Sequence, residues 1–431
     1  MDKMADVLGR AGAWCGQNKY LSAIKNAFQN FMPLTIAGAI GVLWCNVLVN
    51  DQTGLGLFFK PIMALDFLNP AFQAVNFCTI SCITVGITLG IAQEIGVWNM
   101  GAEKAGYIPG LVGLAAWLSV TNTSHMVEGA KEAFTGIAGN ELGATGLFTG
   151  MIIGVLSVEL FCFFEKQDAL KIKMPEQVPP GVARAFEVLV PATITLIITA
   201  CIGSACYNLT GLYLNDVIKN GIQGPLGAVG ATIPGVMIIY LVIMLFWLVG
   251  IHGNNMLSAV KEALFTPLAL ENVEKFNKGE KPTNIINMYA LQMWGEFGGS
   301  GVTIGLVIAI MIFGKREDNK AIATLSLVPG LFNINETVTF GVPMVLNPIL
   351  GIPFVFACLV TILVGYVLTV IGFCPVACLT VPWTTPPIVF GFLACGANVM
   401  GAVTQAILIV VSTVIYVPFL ISYEKYQNKQ A

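Results

Sequence analysis

The chain has 431 residues, 56% of them hydrophobic and only 10% charged, with a mean hydropathy of +0.79. Soluble domains carry roughly 25% charged residues, so this composition excludes a water-soluble surface and predicts an all-α, polytopic membrane protein. A formal net charge of −3 gives no footing to a nucleic-acid partner or a strongly basic surface.

Lys3, Arg10, Lys19 and Lys25 interrupt any secretory-type apolar core in the first 27 residues. Met4, Val7, Leu8, Ala11, Trp14 and Cys15 recur at helical spacing, which predicts an amphipathic helix on the cytoplasmic membrane surface. Spans follow near 31–49, 72–92, 106–120, 144–164, 184–208 and 230–250, each close to the ~20 residues a bilayer asks for. Lys166, Lys171, Lys173 and the pair Pro179-Pro180 mark a cytoplasmic loop. Residues 212–224 are too polar to cross. Gly146, Gly150 and Gly154, like Gly86 and Gly90, repeat every four residues; this spacing serves packing within one subunit or a homodimer face. His125, in the polar stretch Thr121–Glu128, reads as a loop residue.

Residues 253–300 mix apolar patches with Lys261, Glu262, Glu271, Glu274 and several further charges, which fits a re-entrant or hairpin arrangement. Basic residues at 275–281 and 315–320 both ask for the cytoplasm, yet residues 282–315 are too short for two full spans. A tilted or broken pair satisfies both. Spans or half-spans near 322–349, 352–373, 380–398 and 401–421 complete about ten, with both ends cytoplasmic. Of the eleven cysteines, nine from Cys78 to Cys395 lie in or beside apolar runs as small hydrophobes, and no CxxC pair has metal spacing.

Two polar stretches interrupt the apolar pattern. Trp247-Leu248-Val249-Gly250-Ile251-His252-Gly253-Asn254-Asn255 carries an imidazole, and Pro329-Gly330-Leu331-Phe332-Asn333-Ile334-Asn335-Glu336-Thr337 carries a carboxylate. Ionisable groups at membrane depth are expensive, so His252 and Glu336 are functional candidates and are read as two halves of one site. Asn333, Asn335 and Asn254 can donate to and accept from hydroxyls, and Asn254 equally suits a cap for a helix beginning at Asn255. Glu296, in the Gly-rich run 295–301, is either a third polar contact or a solvated loop carboxylate.

The stretches LVPGLFNINETVTFGVPMVLNPILGIPF (327–354), WLVGIHGNN (247–255), MPEQVPPGV (174–182) and GEFGGSGVTIGL (295–306) resemble the membrane (IIC) component of the lactose and cellobiose family of phosphoenolpyruvate-dependent sugar phosphotransferase systems. Members for cellobiose, diacetylchitobiose, lichenan fragments and lactose look alike in these motifs. The resemblance implies that Glu336 and His252 sit at the sugar hydroxyl that receives phosphate. It implies that Trp247 and Trp383 stack on pyranose rings. It also implies no resident cofactor: phosphate comes from a phosphorylated IIB protein, supplied from phosphoenolpyruvate through the general carriers and a IIA protein. No Ser/Thr-rich loop with a IIB-type cysteine occurs in the chain, so a separate IIB partner is expected. No G-x-x-x-x-G-K-[ST] loop suggests direct ATP use.

The expected organisation is an N-terminal scaffold and dimerisation part over 1–210, an amphipathic connector over 211–224, and a substrate-carrying part over 225–431. By the resemblance, the last would move as a rigid body in an elevator-type cycle within the bacterial cell membrane. Two other classes compete with this. One is a proton-coupled secondary transporter that releases unmodified sugar with Glu336 as the proton site. The other is a membrane-embedded hydrolase or transferase, disfavoured by the single carboxylate motif.

Overall fold

Apolar runs punctuated by Gly, Pro and Asn fold as helices that stop wherever those residues cluster. The computed structural model describes residues 10, 13–14, 17–51, 55–125, 134–175, 177–342 and 344–430. Met4, Val7, Leu8, Ala11 and Cys15 of the expected surface helix lie outside the described residues, as do Met126, Val127 and Glu128 of the expected polar loop, Glu176 and Pro343. Among the described residues the fold is all-α apart from one hairpin pairing Ser124–His125 with Phe134–Thr135. His125 bonds back to the Asn122 carbonyl at 3.1 Å, a local turn contact.

Among the described residues, five helices are long and apolar enough to cross a membrane: Lys19–Leu48, Ala144–Glu165, Pro180–Thr210, Gly351–Val370 and Val399–Lys429. Two bent pairs, Lys60–Ser81 with Ile83–Met100 and Met288–Val302 with Ile304–Phe313, raise the number to seven if each is one span. Ile108–Val120 and Ile233–Leu248 are shorter apolar helices. The second bent pair, turned by 58°, occupies the stretch that is too short for two spans.

The chain divides into two compact units. One comprises Gln17–Gly38 and Val75–Gly227. Its core stripe, Ile87, Ile91 and Ile95, repeats every four residues along one buried face of Ile83–Met100. The glycine ladder lies against that helix. A Cβ on Gly150 would stand 2.2 Å from Thr88 Oγ1, and one on Gly154 would stand 3.1 Å from the Thr88 carbonyl. Two of its rungs are thus used for close approach inside the unit. Glu165, 1% exposed, ends Ala144–Glu165 and is held by Lys104 at 2.8 Å and Arg184 at 2.9 Å. Pro180 opens the next helix at a position where its missing N–H costs nothing. Residues 214–230 are largely helical, and buried Asn215 accepts from Thr149 Oγ1 at 2.6 Å.

The other unit comprises Ala39–Ala74 and Ala228–Ala431. Its spine is Val399–Gln430, which receives Ile304–Phe313 where a Cβ on Gly305 would meet Ser412 Oγ at 2.2 Å. The interval 253–300 resolves into Ser258–Asn277, an Asn-rich turn and Met288–Gly295. Buried Asn272 closes that turn, donating to the Asn284 and Ala377 carbonyls at 2.9 and 3.0 Å. Half-spans replace full ones near 322–349 and 380–398. Glu317–Leu331 stops before a second short helix, Glu336–Gly341, and extended chain precedes Val389–Ala394.

Candidate functional site

Ile233–Leu248 ends because Gly250 turns the backbone left-handed (φ +82°), a region glycine enters without penalty. The chain then doubles back so tightly that a Cβ on Gly253 would lie 2.0 Å from the Ile243 carbonyl oxygen. His252 caps the following turn, its Nδ1 accepting from the Asn255 N–H at 3.3 Å. The cap is therefore His252 and not Asn254. With Nδ1 an acceptor, the neutral ring carries its proton on Nε2. The Trp247 ring, 2% exposed, lies 4.5 Å from the imidazole centroid and fixes its tilt.

The second break follows Pro329 and Gly330. Asn333 adopts φ +63°, which asparagine tolerates better than other residues with a side chain. Its Oδ1 accepts from the Gly298 N–H at 2.7 Å, and its Nδ2 donates to the Trp383 and Thr385 carbonyls. Asn335, 3% exposed, donates to the Ser300 carbonyl at 2.9 Å and Thr339 Oγ1 at 3.1 Å. Both of its amide hydrogens are thereby used on protein acceptors. Asn254 donates to Ser300 Oγ at 3.0 Å.

These folds bring the two motifs together. His252 Nε2 stands 3.7 Å from Glu336 Oε1, with side chains 38% and 45% exposed. That separation is too long for a direct hydrogen bond, yet one oxygen atom fits within reach of both groups. Trp383 is 43% exposed on an extended loop whose far end is pinned by Gln405 Oε1, which accepts from the Ile388 and Gly391 N–H groups at 2.8 and 2.7 Å.

Glu296 is a partnered carboxylate. It accepts from Tyr240 Oη at 2.7 Å and pairs with Lys261 Nζ, whose side chain is 7% exposed. The sequence placed Lys261 among the charges mixed into the re-entrant stretch 253–300 and gave it no role. Its spacing from Phe265 and Ala269, both fully buried, places it on the inner face of Ser258–Asn277, and that register is the signal that could have found it. Ser300 and Tyr240 were also missed. An apolar cavity of about 410 Å³ beside Val249, lined by Leu248, Leu346, Pro348, Ile352 and Phe356, offers little for sugar hydroxyls. Among the described residues no group of three or more His, Cys, Asp or Glu could hold a metal ion.

The family described as "Phosphotransferase system, EIIC" matches residues 25–358. The oligo-beta-mannoside-specific EIIC component of Bacillus subtilis (strain 168) is 33% identical, over 98% of this chain and 94% of that protein. The cellobiose-specific EIIC component of Lactococcus lactis subsp. lactis (strain IL1403) is 29% identical, over 99% and 98%. The crystal structure of the transporter ChbC, the IIC component from the N,N'-diacetylchitobiose-specific phosphotransferase system, is similar with a TM-score of 0.88 and 29% identity, covering 97% of this chain and 96% of that one.

Proposed function

The chain belongs to the EIIC family of the phosphotransferase system, and from that premise we propose that it carries a β-linked disaccharide or short oligosaccharide and presents the sugar C6 hydroxyl to a phosphorylated IIB protein. The relatives named for oligo-beta-mannoside, cellobiose, lichenan and diacetylchitobiose support that substrate class. The observation that carries the reading is the His252–Glu336 pair, two half-exposed ionisable groups that two broken helices bring to 3.7 Å, close enough for one oxygen beside them to bond to both.

In this reading the hydroxyl oxygen sits beside the pair, at hydrogen-bond distance from both groups. His252 Nε2–H donates to it and orients its lone pair, while Glu336 accepts its proton as the oxygen attacks phosphorus. The new O–P bond forms as the S–P bond to the IIB cysteine breaks, leaving a thiolate on IIB. Phosphoryl transfer otherwise asks for positioning, which the clamped imidazole supplies. Trp383 offers an exposed face to a pyranose ring, whereas buried Trp247 acts on the sugar through His252. Asn254, Asn333 and Asn335 hold the breaks in register, and their remaining acceptor capacity is what a sugar could use.

The unit containing both motifs is the one that moves in an elevator cycle, and the unit of Gln17–Gly38 and Val75–Gly227 supplies the fixed scaffold and the homodimer contact. Lys425 and Lys429 support a cytoplasmic C-terminus. The deciding measurement is uptake of radiolabelled cellobiose, diacetylchitobiose and lactose into membrane vesicles, with and without phosphoenolpyruvate and the soluble phosphotransferase proteins. Sugar 6-phosphate formed only with IIB is the expected result. Free sugar accumulating on a proton gradient alone overturns it.

A further inference from the structure

The run Gly298-Gly299-Ser300-Gly301 crosses between the two motifs as a strap. Its glycines take φ values of +69°, +87° and +77°, a conformation closed to ordinary side chains. The space is closed as well. A Cβ on Gly299 would sit 2.6 Å from the Asn335 Cβ, and one on Gly301 would sit 2.3 Å from the Phe354 ring. Ser300 alone of the four carries a side chain, and it is 3% exposed.

That one residue is bonded to both motifs. Its Oγ accepts from Asn254 Nδ2 at 3.0 Å, two positions after His252. Its carbonyl accepts from Asn335 Nδ2 at 2.9 Å, one position before Glu336. The ends of the strap are anchored too. Glu296 is fixed by Tyr240 and Lys261 on two different helices, and the Gly301 carbonyl accepts from Tyr416 Oη at 2.7 Å on the long C-terminal helix. Thr303 Oγ1 closes the loop on the Gly298 carbonyl at 2.6 Å.

We infer that Ser300 is a positioning residue for the phosphoryl transfer, joining the His252 turn to the Glu336 turn and so setting the spacing at which both groups can hold the sugar hydroxyl. The inference rests on the reading in the preceding section. Its mechanism is geometric: a reacting oxygen held by two groups loses rate steeply when either drifts, because the gain from pre-orientation depends on alignment. Losing the Ser300 hydroxyl frees the Asn254 amide and with it the turn that His252 caps.

The test is a double-mutant cycle on the purified full chain, with phosphorylated IIB and a labelled disaccharide that the wild type phosphorylates. Ser300→Ala should lower turnover roughly tenfold, the worth of one buried hydrogen-bond partner, with a much smaller change in KM for sugar. In an Asn254→Ala background the same substitution should add almost nothing, since the bond is already cut. Ser300→Cys, which keeps a weak acceptor at the same place, should recover part of the loss; it also replaces Ser300→Ala in the cycle if that variant does not yield folded protein. Full turnover in the Ser300 variants, or losses that multiply independently with Asn254→Ala, overturns the assignment. A wild-type chain that never forms phosphorylated sugar with phosphorylated IIB defeats the underlying reading instead, so the two failures are distinguishable.

Discussion

His252 and Glu336 meet because both of their helices stop short, and the 3.7 Å between Nε2 and Oε1 is set by backbone turns instead of by a bond between the two side chains. A pair held apart in this way is ready to share a third atom. In the proposed function the arrangement would separate binding from chemistry, since the carboxylate can lose its charge without removing an oxygen from the site.

Glu336→Gln isolates that separation. The amide keeps shape and one acceptor but cannot take a proton at the moment of attack. Phosphorylated product should fall by about 10²–10⁴-fold, the usual worth of a positioned general base. Sugar binding should stay within roughly tenfold, the scale of one altered hydrogen bond. Single-turnover phosphotransfer alongside equilibrium sugar binding measures both, and retained phosphotransfer removes Glu336 as the base.

His252 has two tasks that different substitutions divide. Its Nδ1 caps the turn at Asn255, and its Nε2 faces Glu336. Asparagine is a good cap, so His252→Asn should unfold thermally close to the wild type while phosphotransfer drops. His252→Ala should lose the cap as well, costing about 1 kcal/mol. Equal stability of the two variants would show that the cap contributes nothing.

Much of this site was legible in the sequence because helix breakers are local. Gly250 and Pro329 announce interruptions in any fold, and an imidazole and a carboxylate beside such interruptions stand out against apolar surroundings. What decides the role of Glu296 is tertiary. The run 295–301 reads equally as a solvated loop until Tyr240 and Lys261, each more than thirty residues away in sequence, are seen to converge on it. Likewise Asn254 has the composition of a cap, and only the backbone course gives that role to His252. The glycine ladder was ambiguous for the same reason, since a small-residue spacing states that something approaches closely and not what approaches.

The Lys261–Glu296 pair should behave as a buried ion pair. Lys261→Met strands a carboxylate and Glu296→Gln strands an ammonium group, and breaking one side of such a pair costs about 3–5 kcal/mol. The double variant Lys261→Met with Glu296→Gln removes both charges and should be more stable than either single. Thermal unfolding in detergent micelles, followed by the loss of monodisperse protein, orders the four chains. A double variant less stable than both singles would mean that the charges do not face each other in the membrane.

The last prediction concerns Gly253, where the reason for glycine is space and not backbone conformation. Its hydrogen faces the Ile243 carbonyl, and a methyl group there would lie 2.0 Å from the oxygen and 2.8 Å from the carbon of a helix backbone. Backbone cannot rotate aside as a side chain can, so the turn must lift away from Ile233–Leu248 and carry His252 with it. Gly253→Ala should therefore cost about 3 kcal/mol or more, at the upper end of overpacking, and abolish phosphotransfer. Gly250 makes the opposite case. Its nearest neighbour to a new Cβ is Val345 at 3.5 Å, an ordinary contact, and the demand is its left-handed backbone alone. Gly250→Ala should cost only about 1–2 kcal/mol and leave measurable phosphotransfer. Thermal unfolding and single-turnover assays on the two variants separate a steric requirement from a conformational one three residues apart. Equal effects would mean that the turn does not pack against Ile243 as closely as the structure places it.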